Sequence, residues 1–204
     1  MTEYRDPEYA RAYLAAHGAV PQREVGERLL LDLLPAQTRR VLDLGCGDGR
    51  LLALVRSRFR HAEGVALDAS EAMLEAARVR FAGERAVAVA GHDLNDPLPD
   101  LGPFDAVVSG FAIHHLPDER KRTLYGEIRA CLAPGGMFLN LEHVASVNGR
   151  EHARFLALLG GREDESNRLA PAWMQVEWLR GVGFGEADVA WKWLELALLV
   201  GWVE

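Results

Sequence analysis

The sequence predicts an α/β protein: a mostly parallel sheet with helices on both faces and an antiparallel strand pair at the C-terminus. Three observations carry this. Val41-Leu42-Asp43-Leu44-Gly45-Cys46-Gly47-Asp48-Gly49 reads as an apolar strand ending in an acid, then a glycine loop, then at once a helix-like stretch, Arg50 to Phe59. Further apolar runs alternate with helical patterns at crossover length, which implies parallel strands joined through helices. Two β-rich runs, Ala187–Trp193 and Leu196–Val203, close the chain across a link too short for a crossover, so they pair antiparallel.

The chain has 204 residues, about half apolar and a quarter charged, which suits one globular domain. The net charge of −7 disfavours a broad nucleic-acid surface. Cys46 and Cys131 stand far apart and form neither a metal spacing nor a disulfide framework, which fits a reducing cytoplasm. Met1 to Asp6 is polar and does not resemble a signal peptide. The longest apolar run, Leu194 to Val203, contains Glu195 and is too short to span a bilayer.

In chain order, residues 4–20 carry Tyr9, Tyr13 and Leu14 near helical spacing, as an edge helix or a lid over a ligand. Val25, Leu29, Leu30, Leu33 and Leu34 form an amphipathic stripe that Pro35 ends. Arg40–Leu44 is apolar without alternation, as in a strand buried on both faces. Leu51, Leu52, Val55 and Phe59 share one face of the next helix. Ala62–Leu67 is a strand ending in Asp68, and Ser70 stands where it would cap the following helix, with Glu71 favourable in its first turn. Met73, Ala76 and Ala77 face inward from that helix.

Ala86–Ala90 is the third strand and leads into Gly91-His92-Asp93-Leu94; a loop with Pro97, Pro99 and Pro103 precedes the fourth, Phe104–Ser109. A helix from Asp118 carries Leu124, Ile128, Cys131 and Leu132 on its core stripe, Pro134-Gly135-Gly136 breaks it, and Met137–Leu141 is the fifth strand. Two helices, Arg150–Leu159 and Pro171–Arg180, follow around the polar run Gly160–Arg168. In the first C-terminal run apolar and polar residues alternate, whereas the second is apolar on both faces. The last strand is therefore expected inside the sheet, with the penultimate one at its edge.

Open α/β sheets bind ligands beyond the carboxyl ends of their strands. There the chain offers Asp43 and the glycine loop, then Asp68 at a position to accept from two ribose hydroxyls, then Asp93 with Leu94 for an adenine ring, then Ser109-Gly110-Phe111. The loop glycines fall at relative positions 0, 2 and 4, not the 0, 2 and 5 of a dinucleotide fingerprint, and Arg50 occupies the place of the last glycine. Asp68 has the competing reading of a helix cap, Asp93 that of a turn residue, and Asp105 reads as structural. His114 and His115, after the fourth strand, fit either helix packing or proton transfer; Glu142 and His143 follow the fifth strand on the same side.

The ordered series resembles the class I S-adenosylmethionine-dependent methyltransferases. The residues that carry the resemblance are Val41 to Gly49, Ala66-Leu67-Asp68-Ala69-Ser70 with Met73-Leu74, Gly91-His92-Asp93-Leu94, Phe104-Asp105-Ala106-Val107-Val108-Ser109, His114-His115-Leu116, and Leu132-Ala133-Pro134-Gly135-Gly136. They cover residues 40–142 in the family's order. The resemblance implies a doubly wound, Rossmann-like, seven-stranded sheet, with S-adenosyl-L-methionine as cofactor and S-adenosyl-L-homocysteine as product. It implies that Asp43, Gly45, Cys46 and Gly47 hold the methionine portion, Asp68 the ribose with Ala69 and Met73 near the adenosine, and Asp93 and Leu94 the adenine. It further implies that Ser109, with Phe111 and His114, borders the methyl group and the substrate. His114 and His115 are the candidate catalytic residues, and no metal is called for.

By the same resemblance residues 1–35 are an edge or lid, 36–142 the cofactor core, 143–183 a substrate-side insertion and 184–204 the terminal strand pair of a single domain. The insertion carries Arg154, Arg162, Arg168, Trp173 and Met174, read as solvated charge or as contacts to a substrate. Ser109-Gly110-Phe111-Ala112 replaces the Asn/Asp-Pro-Pro-Tyr signature of nucleobase amino methyltransferases, which favours a small-molecule substrate over nucleic acid; separately, a monomer or homodimer without a membrane span is expected. Two alternatives stay open: a tRNA-modifying enzyme, and a non-catalytic subunit that binds the cofactor. An NAD-linked oxidoreductase is disfavoured by the glycine spacing.

Overall fold

The computed structural model describes residues 20–161 and 164–204. The N-terminal helix or lid expected over residues 4–20, and Arg162, lie outside the described residues, Val20 excepted. The first described helix, α1, is Arg23–Leu33; β1 (Arg40–Leu44) and α2 (Arg50–Arg58) follow. Then come β2 (Glu63–Asp68), α3 (Glu71–Arg80), β3 (Val87–Gly91) and β4 (Phe104–Gly110). A single 3-10 turn, Ile113–His115, precedes α4 (Asp118–Cys131) and β5 (Leu132–His143). The insertion contributes α5 (Gly149–Leu158) and α6 (Ala172–Gly181), and β6 (Glu186–Trp193) and β7 (Leu196–Trp202) end the chain.

These strands form one seven-stranded sheet in the order β3-β2-β1-β4-β5-β7-β6. The pairs from β3 to β5 are parallel, and β7 runs antiparallel to both neighbours. The last strand sits inside the sheet and β6 forms its edge, as the burial patterns require: every residue from Leu196 to Gly201 is buried, while β6 alternates. The strand order reverses between β1 and β4, so a crevice opens beyond their carboxyl ends. Register makes those ends flush, since Leu44 pairs with both Leu67 and Ser109.

Alternation along the strands divides the core. Val41, Val108 and Leu139 pack with Leu30, Leu52 and Val55 of α1 and α2 on one face. Leu42, Val107 and Phe138 pack with Tyr125, Ile128 and Leu179 of α4 and α6 on the other. Asp43 therefore points toward α2 from an interior position, and Asn140 and Glu142 point toward α4 and α6; all three are fully buried.

Local readings change in three places. The helix ends at Cys131 and β5 begins at Leu132, five residues before the expected strand start, because the Pro134–Gly136 turn stays paired. Gly135 N–H donates to Val203 O and Val203 N–H to Gly136 O. Ser70 precedes α3 in the capping position, but its hydroxyl is buried and bonds nothing, and its backbone N–H donates to Asp68 instead. The three loop glycines are not equivalent. All have positive φ, but a Cβ on Gly45 would lie 2.2 Å from Ala112 Cβ, and one on Gly49 2.5 Å from the Phe81 ring. Only Gly47 faces open space, so two glycines admit protein neighbours and one borders the crevice.

Candidate active site

A cleft of about 770 Å³ lies across the carboxyl ends of β3, β2, β1 and β4. Three strand intervals make it about 14 Å across, and it is open to solvent. Its walls bring together Asp43, Gly45, Cys46 and Gly47 from the loop, Asp68, Ala69 and Met73 from β2 and α3, Leu94 after β3, and His115. Those are nine of the sequence-predicted residues. Asp93, Ser109 and His114 are not part of this lining.

At the centre, Asp43 Oδ2 accepts from Leu52 N–H at 3.1 Å, while Oδ1 is buried with no partner. Burial raises this carboxyl to about 7, with neighbouring Asp68 and Asp48 adding to the rise against the Leu52 bond. Cys46 is held by its N–H to Leu67 O at 2.9 Å, and burial pushes its thiol well above its ordinary range, so it is no nucleophile. Asp68 joins two strands' ends: Oδ2 accepts from Gly47 N–H and Oδ1 from Ser70 N–H, each at 2.8 Å. Burial pushes its carboxyl up, and those backbone N–H groups oppose the push. One carboxylate thus ties the glycine loop to the chain entering α3, which has no side-chain cap.

At the β3 end, Asp93 Oδ1 accepts from Asn95 N–H and from the Asn95 side chain. It is a turn carboxylate, and the turn presents its neighbours to the cleft. His92, which sequence reasoning passed over, lines the cleft with a buried, unpartnered Nε2. A second omission is the charged rim. Glu27 is buried and accepts from Arg23 at 2.7 Å and from Arg50 at 2.6 and 3.0 Å. Burial pushes Glu27 up, but the two arginines outweigh it and hold the carboxyl below its ordinary value. The i, i+4 spacing of Arg23 and Glu27 was visible in the sequence; the reach of Arg50 from another helix was not. Asp48, also in the lining, is bonded by Arg80.

At the β4 end, Ser109 is buried and its hydroxyl donates to Leu44 O at 2.8 Å, tying β4 to β1 rather than facing the cleft. Phe111 follows with φ +55, a strained value for a bulky residue, and its ring lies under the Arg23 guanidinium at 5.2 Å. His114 Nδ1 lies 2.5 Å from Glu142 Oε1. Burial pushes Glu142 up, yet His114, the His143 N–H and Asn140 together hold it below the ordinary carboxylate range. The His115 ring lies 4.0 Å from that of His114, tilted by 48°, and its Nδ1 is 3.0 Å from Ser166 Oγ. Burial and the His114 charge lower its pKa to about 3.

Behind these, buried Glu195 in the β6–β7 turn meets His143 Nε2 and His152 Nδ1 at 2.7 Å each and accepts from Ser146 Oγ, which docks α5 on the sheet. Of the insertion residues, Arg154, Arg168 and Trp173 are exposed, and none of these three nor Met174 lines the cleft. Asp105 accepts from Arg39 and Arg40 N–H at the opposite end of the sheet, a structural role. Among the described residues no three His, Cys, Asp or Glu side chains converge as a metal site would, and no helix is long and apolar enough to cross a membrane.

Residues 41–136 match the family model described as a methyltransferase domain. An uncharacterized methyltransferase of Mycobacterium tuberculosis is 37% identical over 110 residues, 54% of this chain and 53% of its own. The tetracenomycin polyketide synthesis 8-O-methyl transferase of Streptomyces glaucescens is 30% identical over 196 residues, 89% of this chain and 54% of its own. The structure of an O-methyltransferase family protein from Burkholderia thailandensis matches with a TM-score of 0.81 at 20% identity, over 100% of this chain and 62% of that one, a likeness of fold. The chain spans about half the length of these two curated relatives.

Proposed function

We propose, from the premise that this chain belongs to the class I S-adenosylmethionine-dependent methyltransferases, that it transfers a methyl group from S-adenosylmethionine to a small molecule. The observation that carries the reading is the unpartnered Asp43 Oδ1, buried in the wall of a cleft that Gly47 leaves open. A buried carboxylate oxygen without a donor calls for one. The ammonium of an amino acid supplies it, and Arg23 in the same wall offers the opposite charge for the carboxylate. A zwitterionic methionine tail fits that pair.

Asp68, still with acceptor capacity on both oxygens, takes the ribose hydroxyls. Ala69, Met73, Leu94 and His92 enclose the adenine, and Asp93 holds the turn that positions the last two. The bound cofactor supplies a methyl group already activated on a sulfonium. The chain's own residues then need only align an acceptor and exclude water. His115 stands at the acceptor end, and His114, fixed by Glu142, braces it from behind. Small-molecule acceptors are named for similar proteins, a polyketide in one and trans-aconitate in another from Methylobacterium radiotolerans, and the acidic chain supports that class over nucleic acid. Calorimetry with S-adenosylmethionine and S-adenosylhomocysteine tests the reading; binding of neither overturns it.

A further inference from the structure

We propose that β3 pairs with the β3 of a second copy of this chain, antiparallel across a two-fold axis at Val89, so that two sheets continue into one. The two edges of the sheet, β3 and β6, are built differently. β6 carries features that keep an edge from pairing: charges at Glu186, Asp188 and Lys192, and a break in register between Val189 and Trp191. β3 reads Val87-Ala88-Val89-Ala90-Gly91, with no charge, no proline and an unbroken register on β2. An edge in that state is a template for another strand.

The backbone decides which groups face outward. Ala86 O accepts from Gly64 N–H, and His92 N–H donates to Asp68 O, each at 2.8 Å. The even-numbered residues of this stretch therefore bond β2, and Val87, Val89 and Gly91 turn their N–H and C=O groups away from the sheet. Val87 N–H is taken by Glu84 O at 3.1 Å; among the described residues no strand meets the outward groups of Val89 and Gly91. An antiparallel copy centred on Val89 sets Val89 N–H on the partner's Val89 O and Gly91 N–H on the partner's Val87 O, and the partner returns both bonds. The side chains agree with that register. Ala88 stands opposite the partner's Ala90, both small and exposed. Arg85, exposed and without an ion pair among the described residues, comes opposite the partner's Asp93. A centre at Ala88 or Ala90 parts those two charges. On one face of the sheet, α3 packs on both β2 and β3. Strands about 4.8 Å apart then set α3 and its copy about 10 Å from each other, the separation of packed helices. α3 carries Val79, an apolar side chain left 69% exposed.

Sedimentation of the full chain over a dilution series tests the association. A reversible dimer is expected, and Arg85→Glu is expected to raise its dissociation constant about tenfold, since two identical ion pairs become like-charge contacts. Mild oxidation reads the register. Ala88 and the partner's Ala90 form a non-hydrogen-bonded pair with Cα atoms about 4.5 Å apart, within reach of a disulfide, whereas either alanine and its own copy stand about 8 Å apart, beyond it. A mixture of Ala88→Cys and Ala90→Cys protein is expected to give a disulfide-linked dimer that neither variant gives alone, and that the unsubstituted protein, with Cys46 and Cys131, does not give either. A monomer at every concentration overturns the proposal. So does a dimer insensitive to Arg85→Glu, or a cross-link that forms as readily in one variant alone as in the mixture.

Discussion

Asp43→Asn is expected to make the cofactor-free protein more stable near pH 8 while weakening cofactor binding at least tenfold. Asp43 is fully buried, and burial holds its pKa at about 7 against an ordinary value of 3.8. The sign follows from linkage. A carboxyl whose folded pKa is raised favours the protonated folded state, so its contribution is most favourable below the unfolded pKa and is lost as pH rises toward the folded one. A rise of this size removes about 4 kcal/mol by pH 8, of which roughly 2.5 kcal/mol falls between pH 5 and pH 8. An asparagine carbonyl can keep the Leu52 N–H bond. Its amide then stands where Oδ1 was, unpartnered, at a cost of about 1–3 kcal/mol. The variant therefore gains about 1–3 kcal/mol at pH 8, and the gain fades by pH 5. Urea denaturation of both proteins across pH 5 to 8 gives the difference curve, in which groups common to both cancel. A flat curve, or a variant less stable at pH 8, refutes the burial argument. Undiminished binding of S-adenosylhomocysteine refutes the ligand role.

Asp68→Ala is expected to weaken S-adenosylhomocysteine binding at least tenfold by calorimetry, while Asp105→Ala, which frees two backbone N–H groups at the far end of the sheet, leaves binding intact and lowers stability by about 1–3 kcal/mol. Equal binding losses contradict the assignment. Gly47→Ala meets open space and costs about 1–2 kcal/mol for its positive φ, whereas Gly45→Ala adds a collision with Ala112 and unfolds more readily. Melting temperatures order the two, and the reverse order contradicts the division of the loop. Glu195, held below its ordinary pKa by His143, Ser146 and His152 against burial, contributes stability above about pH 4.5 that is lost as pH falls through its folded pKa. Glu195→Gln should thus lower the melting temperature at pH 7 and progressively less at more acid pH; a deficit that persists unchanged below pH 4 counts against that coupling.

The parallel core was legible because its signals are local. A strand, a three-glycine loop and a helix announce themselves in sequence, and β7 declared its interior place by being apolar on both faces. Asp43 and Asp68 could be placed at the strand ends, where they line the cleft, because strand ends are countable from such patterns. What escaped depends on distant partners. Ser109 looked like a wall of the site, but the row it shares with Leu44 turns its hydroxyl into an inter-strand tie. Asp93 and His92 are neighbours, and only the turn made by Asn95 separates the one that shapes the loop from the one that lines the cleft. The Arg50–Glu27 pair and the His143–Glu195–His152 node join residues 23 to 52 positions apart, where spacing carries no information.

The proposed acceptor end and the proposed cofactor end are built from separable parts. The cofactor end is the β1–α2 loop with the ends of β2 and β3, close in sequence and braced mainly by backbone bonds. The acceptor end is pinned to the insertion at three points: Ser166 to His115, Arg168 N–H to His114 O at 2.9 Å, and buried Lys121 to Arg168 O. A substitution between Asp164 and Arg168 reaches His114 and His115 without touching Asp43 or Asp68. Substrate preference can therefore change through this short polar run while the methyl donor stays the same.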